Sequence, residues 1–437
     1  MSILIKPYII LGLALAYFIL LAAPDVTWIN TDSDSGIYLW STKNLGLSHP
    51  TGAPLYNLVG HALTQFPAQN IRQAAHTLSI LSAVSAAITC LLLYLETRKI
   101  IAPIIFMGVG LVVSQSTIIE TYATTTCLMV AMYYWRNNKY LFLLPAILAI
   151  GIHHLAGLAL LPLIIYRKER TDILVLLGAL WYIYYPFALR PDAGWSSEPW
   201  YKYFAGQNFL IGGIDPISSQ GLLLRLKEFA IIFVGGLGLA TLCLHKIRDK
   251  LLALLILLPI IYYITDLPPQ TYVYMMPAFA FIAIGIAKTL GNNIILITGA
   301  LILISFNIQM YDIGRTLDPS PTSARYYLDQ LNYLDNGSIV YAPHRGWEKV
   351  LSWNVQPGQQ VEVRINERDL GDKMPTHYSI ITEPSIYRSY IVPCVTRPPL
   401  DYGRNGVNRL EPDTCNQQTS DILGSTMGDD IRNNREP

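Results

Sequence analysis

The sequence predicts an α-helical polytopic membrane protein with about eleven membrane-spanning helices, followed by a small soluble α/β domain. Three observations predict it. Only 14% of the 437 residues are charged and 52% are hydrophobic, where soluble domains carry about a quarter charged residues. The shortage of charge is confined to residues 1–310, in which apolar runs alternate with short polar stretches. Basic residues then concentrate in every second connecting segment, the signature of alternating sides of a membrane.

A hydrocarbon core needs roughly 20 apolar residues per helix. The apolar runs fall at 7–23, 74–95, 100–114, 117–135, 140–154, 155–166, 172–188, 228–244, 251–265, 271–289 and 293–310. The stretch 140–166 reads either as two helices or as one long kinked element. The first run resembles the start of a signal peptide, yet it extends from Pro7 to Ala23 and more runs follow. It is expected to be a retained first helix with Lys6 as its cytoplasmic anchor. Lys6 and the short segments around 96–99, 136–139, 167–170, 245–250 and Lys288 together hold twelve Lys and Arg. The much longer opposite segments hold only Lys43, Arg72, Arg190, Lys202, Arg225 and Lys227. This asymmetry puts the N-terminus in the cytoplasm and the long loops 24–73 and 189–227 outside. An odd number of crossings puts the C-terminal domain outside as well, in a multi-pass protein of the plasma membrane or an endomembrane.

Residues 311–437 carry Asp, Arg, Pro and Asn throughout. At about 125 residues they are long enough to bury a core. An amphipathic helix is expected over 321–336, closed by Asn336-Gly337, and β-runs at 338–342, 360–365, 378–382 and 390–395. These make an α/β domain over 311–425, and 426–437 reads as a disordered tail. Cys90, Cys127 and Cys243 lie in apolar runs and read as packing residues. Cys394 and Cys415 lie in the soluble part and are able to pair outside the cytoplasm. A net charge of +1 gives no reason to expect a nucleic-acid partner.

Polar residues gather at the outer ends of the runs. Asp32-Ser33-Asp34 places two carboxylates just beyond the first run. They suit a general base toward a hydroxyl, a divalent-cation site, or simply a solvated Asp-rich turn. His49 opens the rigid HPTGAPLY segment at 49–56. It suits phosphate donation or the holding of an acid, and equally a capping turn at the membrane surface. Glu120, His153-His154 and Asp266 lie on the same side as Asp34. Ionisable groups at membrane depth are costly, so they are either functional or paired to join helices. The chain has no Gly-rich phosphate loop, CxxC pair or HExxH, which leaves no nucleotide-driven engine of its own.

The order of these features resembles the protein O-mannosyltransferase-like family of GT-C membrane glycosyltransferases. Asp34-Ser35-Gly36 matches the family's acidic motif after helix one, and HPTGAPLY its His-Pro motif. Glu120-Thr121-Tyr122 matches a Glu-Val-Tyr-like motif, and His153-His154 with Pro162 an Asn-His motif before a proline. FALRPDAGW at 187–195 and Asp266, Tyr274 and Pro277 complete the series over nearly all of 1–310. Ile37, Thr51 and His153 stand where the family motifs carry Glu, Pro and Asn.

The resemblance implies a GT-C fold and a donor sugar such as mannose on a polyprenyl phosphate, facing outside. It implies an inverting transfer to a hydroxyl of a protein or glycan, with Asp34 as base. His49, His154 and Arg190 are then candidates for stabilising the leaving phosphate. Glu120 is expected to orient one of them or bind a sugar hydroxyl, and Trp195 and Trp200 to stack on sugar or acceptor. Asp266 belongs to the same expected binding region. No cofactor is required, and Asp32 with Asp34 would hold a cation if one is used. Two other classes fit the composition: a lipid-linked-sugar transporter or flippase, and a non-catalytic scaffold of the same fold.

Overall fold

The computed structural model describes residues 6–26, 34–48, 52–65, 69–188, 219–265 and 271–310, together with four short strands further on. The chain divides into two compact units, Met1–Val26 with Asn30–Leu317, and Thr27–Ile29 with Asp318–Pro437.

In the first unit, α1 spans Pro7–Leu21, with proline in its first turn, where a missing N–H costs nothing. The expected loop 24–73 folds instead into two helices, α2 (Asp34–Asn44) and α3 (Pro54–Gln65). The longest helix, α4, runs from Ile71 to Thr97 and is about 40 Å long. It opens on a reciprocal cap in which Asn70 and Gln73 bond each other's backbone N–H. Then follow α5 (Ile101–Gly108), α6 (Gly110–Ser116), α7 (Tyr122–Tyr134), α8 (Leu143–Ile152) and α9 (Gly157–Arg167). The stretch 140–166 is therefore two helices, parted at His153, whose backbone is extended, and a single 3-10 turn at His154–Ala156. A 3-10 segment covers Arg170–Tyr184, and α10 (Ser219–Leu237) continues into a 3-10 segment to Lys246. The unit closes with α11 (Lys250–Thr265), α12 (Met276–Leu290) and α13 (Ile294–Met310).

Among the described residues, three helical stretches are long and apolar enough to cross a membrane alone: Ile71–Thr97, Arg225–Lys246 and Tyr272–Leu290. Five shorter apolar helices accompany them. The Tyr272–Leu290 stretch is the centre of the unit, 83% of its apolar window being buried, against 17% for Arg225–Lys246. A helix that is apolar all round is stable only when surrounded. Leu161, Ile173, Leu242 and Ile302 on the periphery are each more than 60% exposed, which suits contact with lipid. Small residues let helices approach: a Cβ at Gly285 would meet Ile247 at 2.7 Å.

The break between α5 and α6 shows how this unit treats backbone at membrane depth. The freed carbonyl of Gly108 accepts the buried Asn307 side-chain amide at 2.9 Å, and that of Met107 accepts the Tyr17 hydroxyl at 3.3 Å. Without such partners each orphaned carbonyl in hydrocarbon would cost several kcal/mol.

At one end of the unit, basic residues from separate connecting segments meet. Arg136 and Lys288 both pair with Glu96, at 3.0 and 2.6 Å. Arg167 forks onto Asp172 and also donates to the Arg136 and Asn138 carbonyls. The ends of α4, α7 and α12, assigned to one side by their charges, therefore lie together.

In the second unit the four strands are β1 (Ile339–Ala342), β2 (Glu362–Ile365), β3 (Tyr378–Ile380) and β4 (Asn408–Leu410). They form one sheet in the order β2-β1-β3-β4, parallel except for the antiparallel β3–β4 pair. The first three fall inside expected β-runs; the fourth lies in none of them. The expected helix 321–336, the run 390–395, Cys394 and Cys415 lie outside the described residues.

Glu96→Gln would leave the Arg136 and Lys288 cations together with no carboxylate between them. It is expected to cost about 2 kcal/mol, read as a lower thermal midpoint in detergent. An unchanged midpoint would show that the three helix ends are held by packing alone.

Candidate active site

The acidic residues lie where α2 and α3 meet the segment between α6 and α7. Asp34 is the first residue of α2, not part of a free turn. A carboxylate at a helix N-terminus is favoured by the unpaired N–H groups there. Ser35 follows, fully buried, and its hydroxyl donates to the Ile119 carbonyl at 3.2 Å. That one bond brings the start of α2 next to Glu120. The Glu120 side chain is also fully buried. Its Oε2 accepts the Thr121 N–H at 3.2 Å, and its backbone carbonyl accepts the Ser82 hydroxyl of α4 at 3.0 Å. The Ala23 N–H bonds the Thr117 carbonyl at 2.7 Å, which ties the end of α1 to the same segment.

The α2–α3 pair is held by Asn57. Its side-chain oxygen accepts the Ser41 hydroxyl at 3.0 Å, and its amide donates to the Gly46 carbonyl at 3.1 Å and to Ser48 at 3.4 Å. Tyr38 and Tyr56 pack edge to face with ring centres 5.3 Å apart. Tyr56 is fully buried, and burial, with the Glu120 charge adding, holds its hydroxyl far above the usual tyrosine range. Burial also pulls the Lys43 ammonium below its ordinary value; it donates to the Gln69 carbonyl at 2.7 Å. Gly52 takes a positive φ of 68°, and a Cβ there would lie 1.6 Å from the Tyr185 hydroxyl.

His153 and His154 lie at the break between α8 and α9. Their rings stack at 4.2 Å. His153 Nδ1 accepts the Leu155 N–H at 3.2 Å, which puts the proton of the neutral ring on Nε2. His154 Nε2 lies 3.2 Å from the Tyr262 hydroxyl. Tyr122, two residues beyond Glu120, has its ring 5.3 Å from His153, and Tyr274 lies 5.8 Å from Tyr122 and 5.3 Å from Tyr262. The sequence separates these groups by more than 150 positions, and the fold gathers them into one aromatic cluster beside the Glu120 segment.

A further cation appears at the start of α10. Arg225 is buried, and its Nη1 donates to the Tyr263 carbonyl at 3.0 Å. The Tyr263 hydroxyl reaches Glu228 at 3.1 Å. Tyr263 neighbours Tyr262 on α11, so this helix touches both Arg225 and His154.

Of the residues singled out from the sequence, the structure brings the backbone of Asp34 beside Glu120, and Glu120 within two residues of the ring cluster that holds His154. Asp32, His49, Arg190, Trp195, Trp200 and Asp266 lie outside the described residues. Sequence reasoning missed Asn57, Tyr262 and the burial of Arg225. Among the described residues no group of three or more His, Cys, Asp or Glu is arranged to hold a metal ion.

Residues 34–136 match the sequence family described as protein O-mannosyl-transferase TMEM260 N-terminal domain. No curated protein matches the chain. Among solved structures it is similar to ArnT from Cupriavidus metallidurans bound to undecaprenyl phosphate, with a TM-score of 0.53 and 11% identity over 92% of this chain and 97% of that one. The apo state of the same protein gives a TM-score of 0.51 at 11% identity, over 92% and 96%. Likeness at this identity carries the fold. The fold is thus like that of ArnT, and residues 34–136 carry a likeness to the O-mannosyl-transferase domain. On these two likenesses the chain resembles the protein O-mannosyltransferase-like family of GT-C membrane proteins.

Gly52→Ala is expected to destabilise the α2–α3 pair by more than about 2 kcal/mol, through a disfavoured φ and the clash with Tyr185. Adding Tyr185→Phe removes the nearest clashing atom but leaves the ring carbon Cζ 2.5 Å away, together with the φ strain, so thermal midpoints should show partial recovery. Full recovery would mean that the backbone conformation carries no cost.

Proposed function

We propose that the chain is an inverting membrane glycosyltransferase that moves a sugar from a polyprenyl-phosphate donor to an acceptor hydroxyl on the outer face. The observation that carries this reading is the bond from Ser35 to the Ile119 carbonyl, which sets the Asp34 end of α2 beside buried Glu120. Both acidic positions fall inside the stretch matched by the O-mannosyl-transferase domain.

In this reading Asp34 takes the proton of the acceptor hydroxyl as its oxygen bonds to the anomeric carbon. The bond from that carbon to the phosphate oxygen breaks, the electron pair leaves with the phosphate, and the configuration inverts. A positioned base contributes roughly 10²–10⁴-fold. Cations stabilise the departing phosphate, and His49, His154 and Arg190 are assigned that task. Arg225 joins them as a buried guanidinium bonded to the Tyr263 carbonyl of α11, the helix whose Tyr262 meets His154. Glu120 binds a sugar hydroxyl, Asp32 and Asp266 border the site, and Trp195 stacks on sugar or acceptor. No metal is required; Asp32 and Asp34 are the pair that would hold one.

A lipid-linked donor suits a site built at helix ends, since such a donor resides at the membrane interface. Undecaprenyl phosphate is the ligand in the ArnT structure of the same fold. Mannose is the sugar suggested by the family resemblance, and a protein Ser/Thr or glycan hydroxyl the acceptor. About eleven crossings, a cytoplasmic N-terminus and an outer α/β domain, with Cys394 joined to Cys415, complete the proposal.

Asp34→Asn is expected to lower transfer by roughly 10²–10⁴-fold while leaving membrane insertion and thermal midpoint unchanged. Transfer from undecaprenyl-phosphate mannose in isolated membranes, read by mass spectrometry, measures it. Near-normal turnover would remove Asp34 as the base, and parallel loss in Asp32→Asn alone would move the assignment to that residue.

A further inference from the structure

A fully buried hydroxyl without a hydrogen bond is costly, and in a well-packed fold it calls for a cause. The Tyr56 Oη is such a group, buried and with no hydrogen-bond partner. Its neighbours indicate what it faces. Ser35 fastens the first turn of α2 to the carbonyl just before Glu120. Tyr38, three residues after Ser35 and on the same side of that helix, packs its ring edge against Tyr56 at 5.3 Å. Tyr56 and Glu120 therefore approach one another across the first turn of α2. Three more buried oxygens without partners belong to this region: Ser79, one turn before Ser82 on α4, and Ser116 and Thr121, on either side of Glu120. The Glu120 charge also raises the energy of ionising Tyr56.

We propose that Tyr56 is a positioning residue for transfer, whose hydroxyl donates to the Glu120 carboxylate in the substrate-bound enzyme and fixes that carboxylate against a sugar hydroxyl. This rests on the glycosyl-transfer reading above and adds a role for the HPTGAPLY segment. That segment delivers, through α3, a donor that is preorganised and shielded from water. Asn57 ties α3 to α2, and Gly52 comes close to Tyr185, so the segment before Tyr56 is packed on both sides. A hydrogen bond to a charged oxygen is shorter and stronger than a neutral one. Its loss should weaken orientation of the bound sugar rather than donor capture.

The test is a cycle of Tyr56→Phe, Glu120→Gln and the double variant in the full chain in membranes, with undecaprenyl-phosphate mannose as probe donor. Tyr56→Phe keeps the ring and removes only the hydroxyl. Its kcat is expected to fall roughly tenfold or more, with donor KM within about twofold and the thermal midpoint retained. In the Glu120→Gln background the same change should cost only a few-fold, because an amide oxygen is a weaker acceptor. Normal kcat in Tyr56→Phe, or an equal loss in both backgrounds, would overturn the proposal. Asp34→Asn run alongside separates the two readings. If it is inactive while Tyr56→Phe is normal, only the Tyr56 role falls. If it is active while the Tyr56–Glu120 coupling is intact, only the base assignment falls.

Discussion

The first unit depends on satisfying the backbone of the short segment 117–121, which is buried among helices yet belongs to none of them. Peptide groups in such a place have no water and no ladder, so each needs a specific partner. The partners come from three different elements: Ala23 for Thr117, Ser35 for Ile119, and Ser82 for Glu120. The segment therefore cannot be accommodated without bringing the end of α1, the start of α2 and the middle of α4 to one point. The start of α2 and this segment are adjacent because the backbone requires those contacts. The same rule explains the other interruptions. At Gly108 the vacant carbonyl is filled by Asn307, and at His153 the ring nitrogen accepts the next turn's N–H. Non-helical backbone survives here where a polar side chain or another backbone N–H serves it.

Much of this arrangement was legible in the sequence, for reasons that differ residue by residue. The apolar runs and their sidedness follow from sums over local composition, hydropathy and basic charge, and need no knowledge of neighbours. Glu96, Arg136 and Lys288 were assigned to one side by that reasoning, and they meet in one cluster. His153 and His154 were visible as polar residues interrupting an apolar run, and the helix does break there. The segment 24–73 reads as a loop because Gly, Pro and Ser are frequent in it. It folds into α2 and α3 because Asn57 supplies the bonds that tie them together. Helix formation of this kind is decided by tertiary contacts that propensity does not record.

Tyr262 and Arg225 were hidden for a related reason. Aromatic residues near the ends of apolar runs are expected at any membrane interface, so Tyr262 and Tyr263 carried no distinct signal. Their significance lies in partners far along the chain: His154 at a separation of 108 residues and Arg225 at 38. A helical period tells which face a residue occupies, but not which helix lies against that face. Arg225 likewise counted only as one outer charge, and its burial follows from how α10 lies against α11.

The positions of the inner ion cluster and of the aromatic and acidic groups along the helices bear on how a site at helix ends is kept in register. Glu96 is on α4, Arg136 directly follows α7, and Lys288 is on α12. Further along, α4 supplies Ser82 from its middle, α7 begins at Tyr122 just after Glu120, and Tyr274 comes from the turn that leads into α12. An α-helix resists stretching and bending along its hydrogen-bonded axis, so fixing one end limits play at the other. Here the fixed end uses charge pairing between helices, where apolar contact alone permits sliding because lipid is as apolar as leucine. The apolar α12, buried from Met276 to Ala287, then fills the space between its partners. Precision at the acidic and aromatic groups is in this way supported from the far side of the membrane unit, which is what a site needs when its own segment is broken backbone.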